Sequence, residues 1–235
     1  MIAGARATVG VKHASLRRGN VMPALRSARS ATGLALLALL AGCGASAPPA
    51  APTLASAFEQ LGRYRFDHAR SELVAVRAAA TVGDEVWRKA TYGLALAWQQ
   101  DPSASAENTA RAVALHEELW ARSAGTPEAL HAAMQLGRIA HLRDYYQDVP
   151  DLALARSWYE RVVAAAGDDL LGSQCLIYLA GTWIEELDPE AFATADRLLS
   201  QRLAARPEDP LASMMWMTLA DLRHVYRRDP RGAVA

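Results

Sequence analysis

From Leu54 onward the apolar positions of this chain are carried by Ala and Leu set among Arg and Glu, with few β-branched residues in runs and no useful length of apolar–polar alternation. Alanine and straight-chain residues lose little freedom in a helix, whereas strands favour branched and aromatic side chains in alternation. The pattern predicts an all-α domain over 54–235. Helix breakers joined to capping residues divide it at Gly62, Gly83-Asp84, Asp101-Pro102, Gly125-Thr126-Pro127, Val149-Pro150-Asp151, Gly167-Asp168, Asp188-Pro189, Arg206-Pro207 and Asp229-Pro230, which predicts nine or ten helices. Several of these prolines sit beside an acid, where Asp suits the N-cap and Pro the first helical turn.

The helices fall into pairs. Leu followed by a small residue recurs at Leu94-Ala95, Leu136-Gly137, Leu179-Ala180 and Leu219-Ala220, spaced by 42, 43 and 40 positions. A second series, Ala69, Ala112, Ala155, Ala195 and Ala233, is spaced by 43, 43, 40 and 38, with Leu73, His116, Tyr159 and Leu199 four residues after its first four members. A small residue is needed where two helices cross closely, and a larger one a turn later fills the gap beside it. After Asp229-Pro230 the marker Ala233 is in place but the sequence stops at Ala235, so the last repeat reads as incomplete.

These positions resemble the signature of tetratricopeptide and Sel1-like repeats. The matching residues are Trp216-x-x-Leu219-Ala220 for a first helix, Ala195, Leu199 and Pro207 for a second helix and its terminating proline, and Asp151-x-x-x-Ala155-x-x-Trp158-Tyr159 for the Sel1 form. The resemblance implies a right-handed α-solenoid of helical hairpins with four to five units. The period exceeds the 34 residues of a standard tetratricopeptide, the first unit is short and no unit carries the full pattern; an irregular helical bundle is the alternative.

The segment 1–42 has a different character. Gly33 to Leu40 is an apolar run too short to span a bilayer, which needs about 20 residues. Arg26 and Arg29 precede it, no acid does, and Leu40-Ala41-Gly42-Cys43 closes it. This is the layout of a cleavable leader and resembles the lipobox of bacterial lipoproteins. The resemblance implies recognition of Leu40, Ala41 and Gly42 by the lipoprotein signal peptidase, removal of 1–42 and lipidation of Cys43. Met22 would open a compact 21-residue leader ending at Gly42. Residues 43–53, rich in Ala and Pro, read as a flexible tether. Gly44, where an Asp would retain a lipoprotein in the inner membrane, points to the periplasmic face of the outer membrane.

Removal of the leader changes the charge. The chain carries 25 Lys+Arg and 25 Asp+Glu; 1–42 holds six of the bases and none of the acids, which leaves 19 against 25, a formal −6. That balance argues against a nucleic-acid partner, whose binding rests on clustered positive charge. Cys175, left without a disulfide partner, reads as a small buried hydrophobe.

Little else carries chemistry. His116-Glu117-Glu118 lacks a second histidine one turn away and reads as an exposed helical face rather than a metal site. Glu185-Glu186 and Asp168-Asp169 read as solvated or capping charges, and the six tryptophans, Trp216 included, as core. With no phosphate loop, nucleophile elbow or zinc spacing, no cofactor, metal, catalytic residue or small-molecule substrate is expected, and the chain reads as a non-enzyme.

The resemblance to tetratricopeptide arrays implies that the first helix of each pair lines a groove. Counting from the Leu-small pairs then places Lys89, Tyr92 and Gln99; His131, Met134, Arg138 and His141; Gln174, Ile177 and Glu185; and Met214, Met217, Asp221 and His224 in it. The 3, 4, 3 spacing of His131, Met134, Arg138 and His141 puts them on one helical face. Methionines mixed with hydrogen-bonding groups suit a peptide or protein ligand; plain solvation of that face is the alternative. The expected function is a lipid-anchored periplasmic adaptor for an envelope protein or peptide, or alternatively the helical scaffold of a longer envelope enzyme, such as a lytic transglycosylase, continuing past Ala235.

Overall fold

The computed structural model describes residues 51–103, 105–142 and 149–226; the leader, Cys43, most of the tether and Asp229-Pro230 with Ala233 lie outside them. Among the described residues the secondary structure is helical throughout: α1 (Leu54–Gly62), α2 (Phe66–Ala79), α3 (Glu85–Gln99), α4 (Ala106–Ser123), α5 (Pro127–His141), α6 (Leu152–Ala166), α7 (Leu170–Ile184), α8 (Pro189–Ala205) and α9 (Ala212–Asp221), which runs on as a π-helical segment, Leu222–Tyr226. The stop signals from Gly62 to Arg206-Pro207 all fall at helix ends or between helices. Thr53, Asp84, Ser105, Thr126, Asp151 and Asp188 each accept a backbone N–H from the first turn of the helix that follows. Such caps satisfy donors that the helix itself leaves unpaired.

Every helix packs on its predecessor, and each odd-numbered helix also meets the next odd one, from α1 through α9. The odd helices thus form one layer, with α2, α4, α6 and α8 wedged between them on the other side, an arrangement consistent with a helical repeat. Leu94, Leu136, Leu179 and Leu219 are all buried, and Ala69, Ala112, Ala155 and Ala195 completely so, as are the larger residues Leu73, His116, Tyr159 and Leu199 one turn later. His116 is therefore not on an exposed face, despite the acids that follow it. Its register beside the crossing, not its sequence neighbours, decides its burial.

One crossing shows why a glycine stands where the three other units have alanine. A Cβ added at Gly137 would lie 2.5 Å from Tyr159 Cε1 and 2.7 Å from Cδ1. Tyr159 is the largest of the four fillers, so its partner helix must offer the smallest residue. The other three fillers, Leu73, His116 and Leu199, are smaller.

A second repeated contact links the residue after each marker alanine to the residue four after each Leu. In the first unit Arg70 donates to Ala97 O at 3.2 Å, pairs with Asp101 at 2.6 Å and lies 4.3 Å over the Trp98 ring. In the third, Arg156 donates to Thr182 O at 3.0 Å, pairs with Glu186 and lies 3.6 Å over Trp183. The last unit has an ion pair there, Arg223 to Asp196 at 2.9 Å, and the second has Val113 and Ala140. One geometry carries cation–π, ionic and apolar side chains at equivalent positions.

The core holds Cys175, fully buried, its thiol pushed up to about 12 by burial; that keeps it protonated and unreactive. Trp87 and Trp158 are buried, but Trp216 is 50% exposed, contrary to its expected place in the core. It stands three residues before Leu219, and the equivalent residues Thr91, Ala133 and Leu176 are all buried. Gly137, at 100° per residue on the same side of its helix, faces Tyr159 of the helix that follows, which identifies the covering element. Among the described residues α9 has no such following helix.

Candidate functional site

The predicted groove residues on α3, α5 and α7 meet in a polar and aromatic seam across the odd-helix layer. At its α3–α4 end, buried His116 donates Nε2–H to Gln99 Oε1 at 3.2 Å, and Gln99 Nε2 donates to Gln135 Oε1 at 3.1 Å. Arg138 Nη1 donates to the same Gln135 oxygen at 3.4 Å. Tyr92 lies with its ring centre 5.9 Å from that of His116 and 6.0 Å from that of His131.

The seam continues on α7. The Arg138 guanidinium carbon is 6.0 Å from the Tyr178 ring centre, and Gln174 Nε2 donates to the Tyr178 hydroxyl at 2.9 Å. Tyr178 in turn packs 5.6 Å from Tyr159. His141 closes the line: its Nε2–H donates to Glu185 Oε1 at 3.0 Å, which leaves Nδ1 to accept from the Tyr159 hydroxyl at 3.3 Å.

Burial keeps most of these groups neutral. It pulls His116 down to about 4 and lowers His131 as well, Glu128 opposing only in part. It raises the phenols of Tyr92 and Tyr159. His116 Nδ1 is buried without a hydrogen-bond partner among the described residues, so the ring gains nothing there from a second proton. Removing a charged imidazole from water with no compensating acceptor is unfavourable, and the neutral tautomer wins.

The remaining predicted residues divide. Lys89 is exposed and engaged with Glu85 on its own helix, and Ile177 is half-buried. Met134 does not line the surface: only 6% exposed, it belongs to the core formed by α5 to α9. At 100° per residue Met134 falls between Arg138 and His141, on the side of the stripe where the His141 ring meets Tyr159 of α6. Met214, Met217 and Asp221 are exposed on α9 and His224 on the π-helical segment after it, but no hydrogen bond or ring contact among the described residues joins them to the seam. Cys43, Leu40, Ala41 and Gly42 lie outside the described residues.

Gln135 and Tyr178 were not anticipated. A signal for them exists: each immediately precedes the Leu of a Leu-small pair, and so occupies equivalent positions on α5 and α7. Among the described residues no three His, Cys, Asp or Glu side chains converge as metal ligands, and no helix is long and apolar enough to cross a membrane. A surface hollow of about 510 Å³ lies away from the seam, at the α1–α2 loop, lined by Tyr64, Arg65, Phe66, His68 and Asp101 among others. Compared with family models, curated proteins and solved structures, the chain matches none.

Proposed function

We propose that this chain is a lipid-anchored periplasmic lipoprotein whose helical-repeat domain, a right-handed α-solenoid of the tetratricopeptide or Sel1-like kind, is an interaction scaffold for an envelope protein or peptide. The observation that carries the reading is the seam itself. Three successive odd helices present Tyr92, His131, Arg138, Gln174, Tyr178 and Glu185, partly or wholly exposed, along one layer. Rigid aromatics and amides fixed by mutual hydrogen bonds lose little entropy on binding and offer both apolar area and directional contacts. The anchor rests on Leu40-Ala41-Gly42-Cys43 and the basic, acid-free segment before it, with the outer membrane favoured by Gly44.

Two measurements test the two halves. Radiolabelled palmitate is expected to enter the wild type and not Cys43→Ala; equal labelling of both defeats the anchor. Arg138→Glu is expected to abolish co-purification of the envelope partner with little change in melting temperature, while Arg161→Glu, on the exposed side of α6, keeps it. Retention of the partner by both variants defeats the assignment of the seam.

A further inference from the structure

The arginines that link one segment to another, Arg70, Arg77, Arg88, Arg156, Arg202 and Arg223, all reach an Asp or Glu. Arg138 is different. It is half-buried in the middle of the seam, yet its contacts are one long hydrogen bond to Gln135 and the face of Tyr178, with no carboxylate among the described residues. A guanidinium carries five N–H donors in a planar fork, and with one of them spent on Gln135 the others are open to an incoming acceptor.

We propose that Arg138 receives a carboxylate of the ligand bound at the seam, held between Tyr178 and the Gln135 amide; this rests on the seam being the binding surface. The surroundings set the charge and shape of the ligand group. His116 and His131 stay neutral through burial and Tyr92 stays a phenol, and the Glu185 carboxylate farther along the seam is engaged by His141, so around Gln135 and Tyr178 the seam supplies the positive charge of Arg138 with neutral donors beside it. That balances a single negative charge, not a phosphate dianion. The fork geometry of the guanidinium matches the two coplanar oxygens of a carboxylate. Because Gln174 donates to the Tyr178 hydroxyl, that hydroxyl keeps its own proton free to donate, and a carboxylate seated on Arg138 is within the same neighbourhood. The carboxylate is that of an acidic side chain or of a peptide's C-terminus.

The test uses the full-length chain in detergent micelles, observed through its arginine side-chain N–H resonances. Four probes are titrated: an N-acetylated tri-alanine with a free C-terminus, the same peptide amidated, an amidated peptide with a central glutamate, and inorganic phosphate. The Arg138 resonance is identified by its disappearance in Arg138→Gln. The proposal expects a saturable shift of that resonance with at least one carboxylate peptide and none with the neutral amide, with binding weakened at least about tenfold in Arg138→Gln and less in Arg138→Lys. A shift from the free-acid peptide alone assigns the C-terminus; a shift from the glutamate peptide assigns the side chain. Response to phosphate but to neither carboxylate overturns the proposal, as does a shift of equal size with the neutral amide. If the neutral peptide perturbs Tyr92, His131 and Tyr178 in both the wild type and Arg138→Gln, the seam still binds but the carboxylate site is wrong. If no peptide perturbs any of them, both are wrong.

Discussion

The crossing of Gly137 with Tyr159 permits a test of the repeat geometry in one atom. In an exposed helix interior Gly→Ala stabilises by about 1 kcal/mol, because alanine loses less backbone freedom. Here the added methyl would meet Tyr159 Cε1 at 2.5 Å and Cζ at 3.0 Å. The ring has no room to retreat: Tyr159 is fully buried, with Tyr178 at 5.6 Å and His141 at 5.9 Å. Overpacking of a filled core costs about 1–3 kcal/mol, a range that outweighs the helix gain over most of its width once the off-rotamer tilt of the ring is included. Gly137→Ala is therefore expected to destabilise by about 1–2 kcal/mol, a fall in melting temperature of about 2–8 °C for a domain of this size. Tyr159→Leu alone should cost about 2–4 kcal/mol through its cavity. The double variant carries the alanine and leucine found at the corresponding positions Ala180 and Leu199 and is expected to be more stable than the sum of the singles by about 1 kcal/mol or more. Urea unfolding followed by circular dichroism measures all four proteins. A stabilised Gly137→Ala, or strict additivity in the double variant, refutes the crossing as described.

Four further outcomes follow from particular contacts. His116 titrates at about 4 in the folded chain against about 6.5 when exposed, so the unfolded chain binds more protons between those values. Stability is then complete above about pH 6.5 and falls by up to about 3 kcal/mol as the pH drops toward 4, and His116→Gln should flatten that part of a pH series of urea midpoints. Burial pushes the Asp209 carboxyl up, but hydrogen bonds from Ser173, the Leu211 N–H and Arg202 outweigh it and hold the group low. Its stabilisation is present above the unfolded carboxylate value and lost as the pH falls through the lowered one, and Asp209→Ala should cost about 3–5 kcal/mol at neutral pH by leaving Arg202 and Ser173 without it. Trp216→Ala should cost less than about 1 kcal/mol in thermal melts, as befits a half-exposed side chain; a loss of 3 kcal/mol or more would mean that the ring is covered. Replacing Asp196 and Arg223 together by Arg and Asp should restore part of the stability lost in either single variant, since the contact between them is shared in geometry but not in sign with its counterparts in the other units.

How much of this was readable from the chain depends on which signal dominated at each residue. The helices and their ends were readable because breakers and caps act locally: Thr126-Pro127 and Asp188-Pro189 do the same thing in any fold. The register of Leu-small pairs against marker alanines was readable because close crossings tolerate few residue types. His116 reads as exposed from Glu117-Glu118 beside it, yet its place four residues after Ala112 equates it with the buried Leu73, Tyr159 and Leu199, and that register decides. Trp216 differs from its expected place in the core because burial at a helix crossing depends on the neighbouring helix as well as on the side chain, and position alone does not supply that helix. Gln135 and Tyr178 escaped notice because a helical face counted from His131 passes beside them; the seam forms only when α3, α5 and α7 are set side by side.

The claim that the odd-helix layer binds an envelope partner is tested most directly by photo-crosslinking in living cells. A crosslinking amino acid placed singly at Tyr92, His131 or Gln174, on three successive odd helices, and at Glu117 or Arg161 on α4 and α6, is activated in the full-length protein and the adducts are identified by mass spectrometry. One common partner is expected from all three odd-helix positions and not from the other two. Capture of that partner from Glu117 and Arg161 at equal yield, with none from Tyr92, His131 and Gln174, would contradict it.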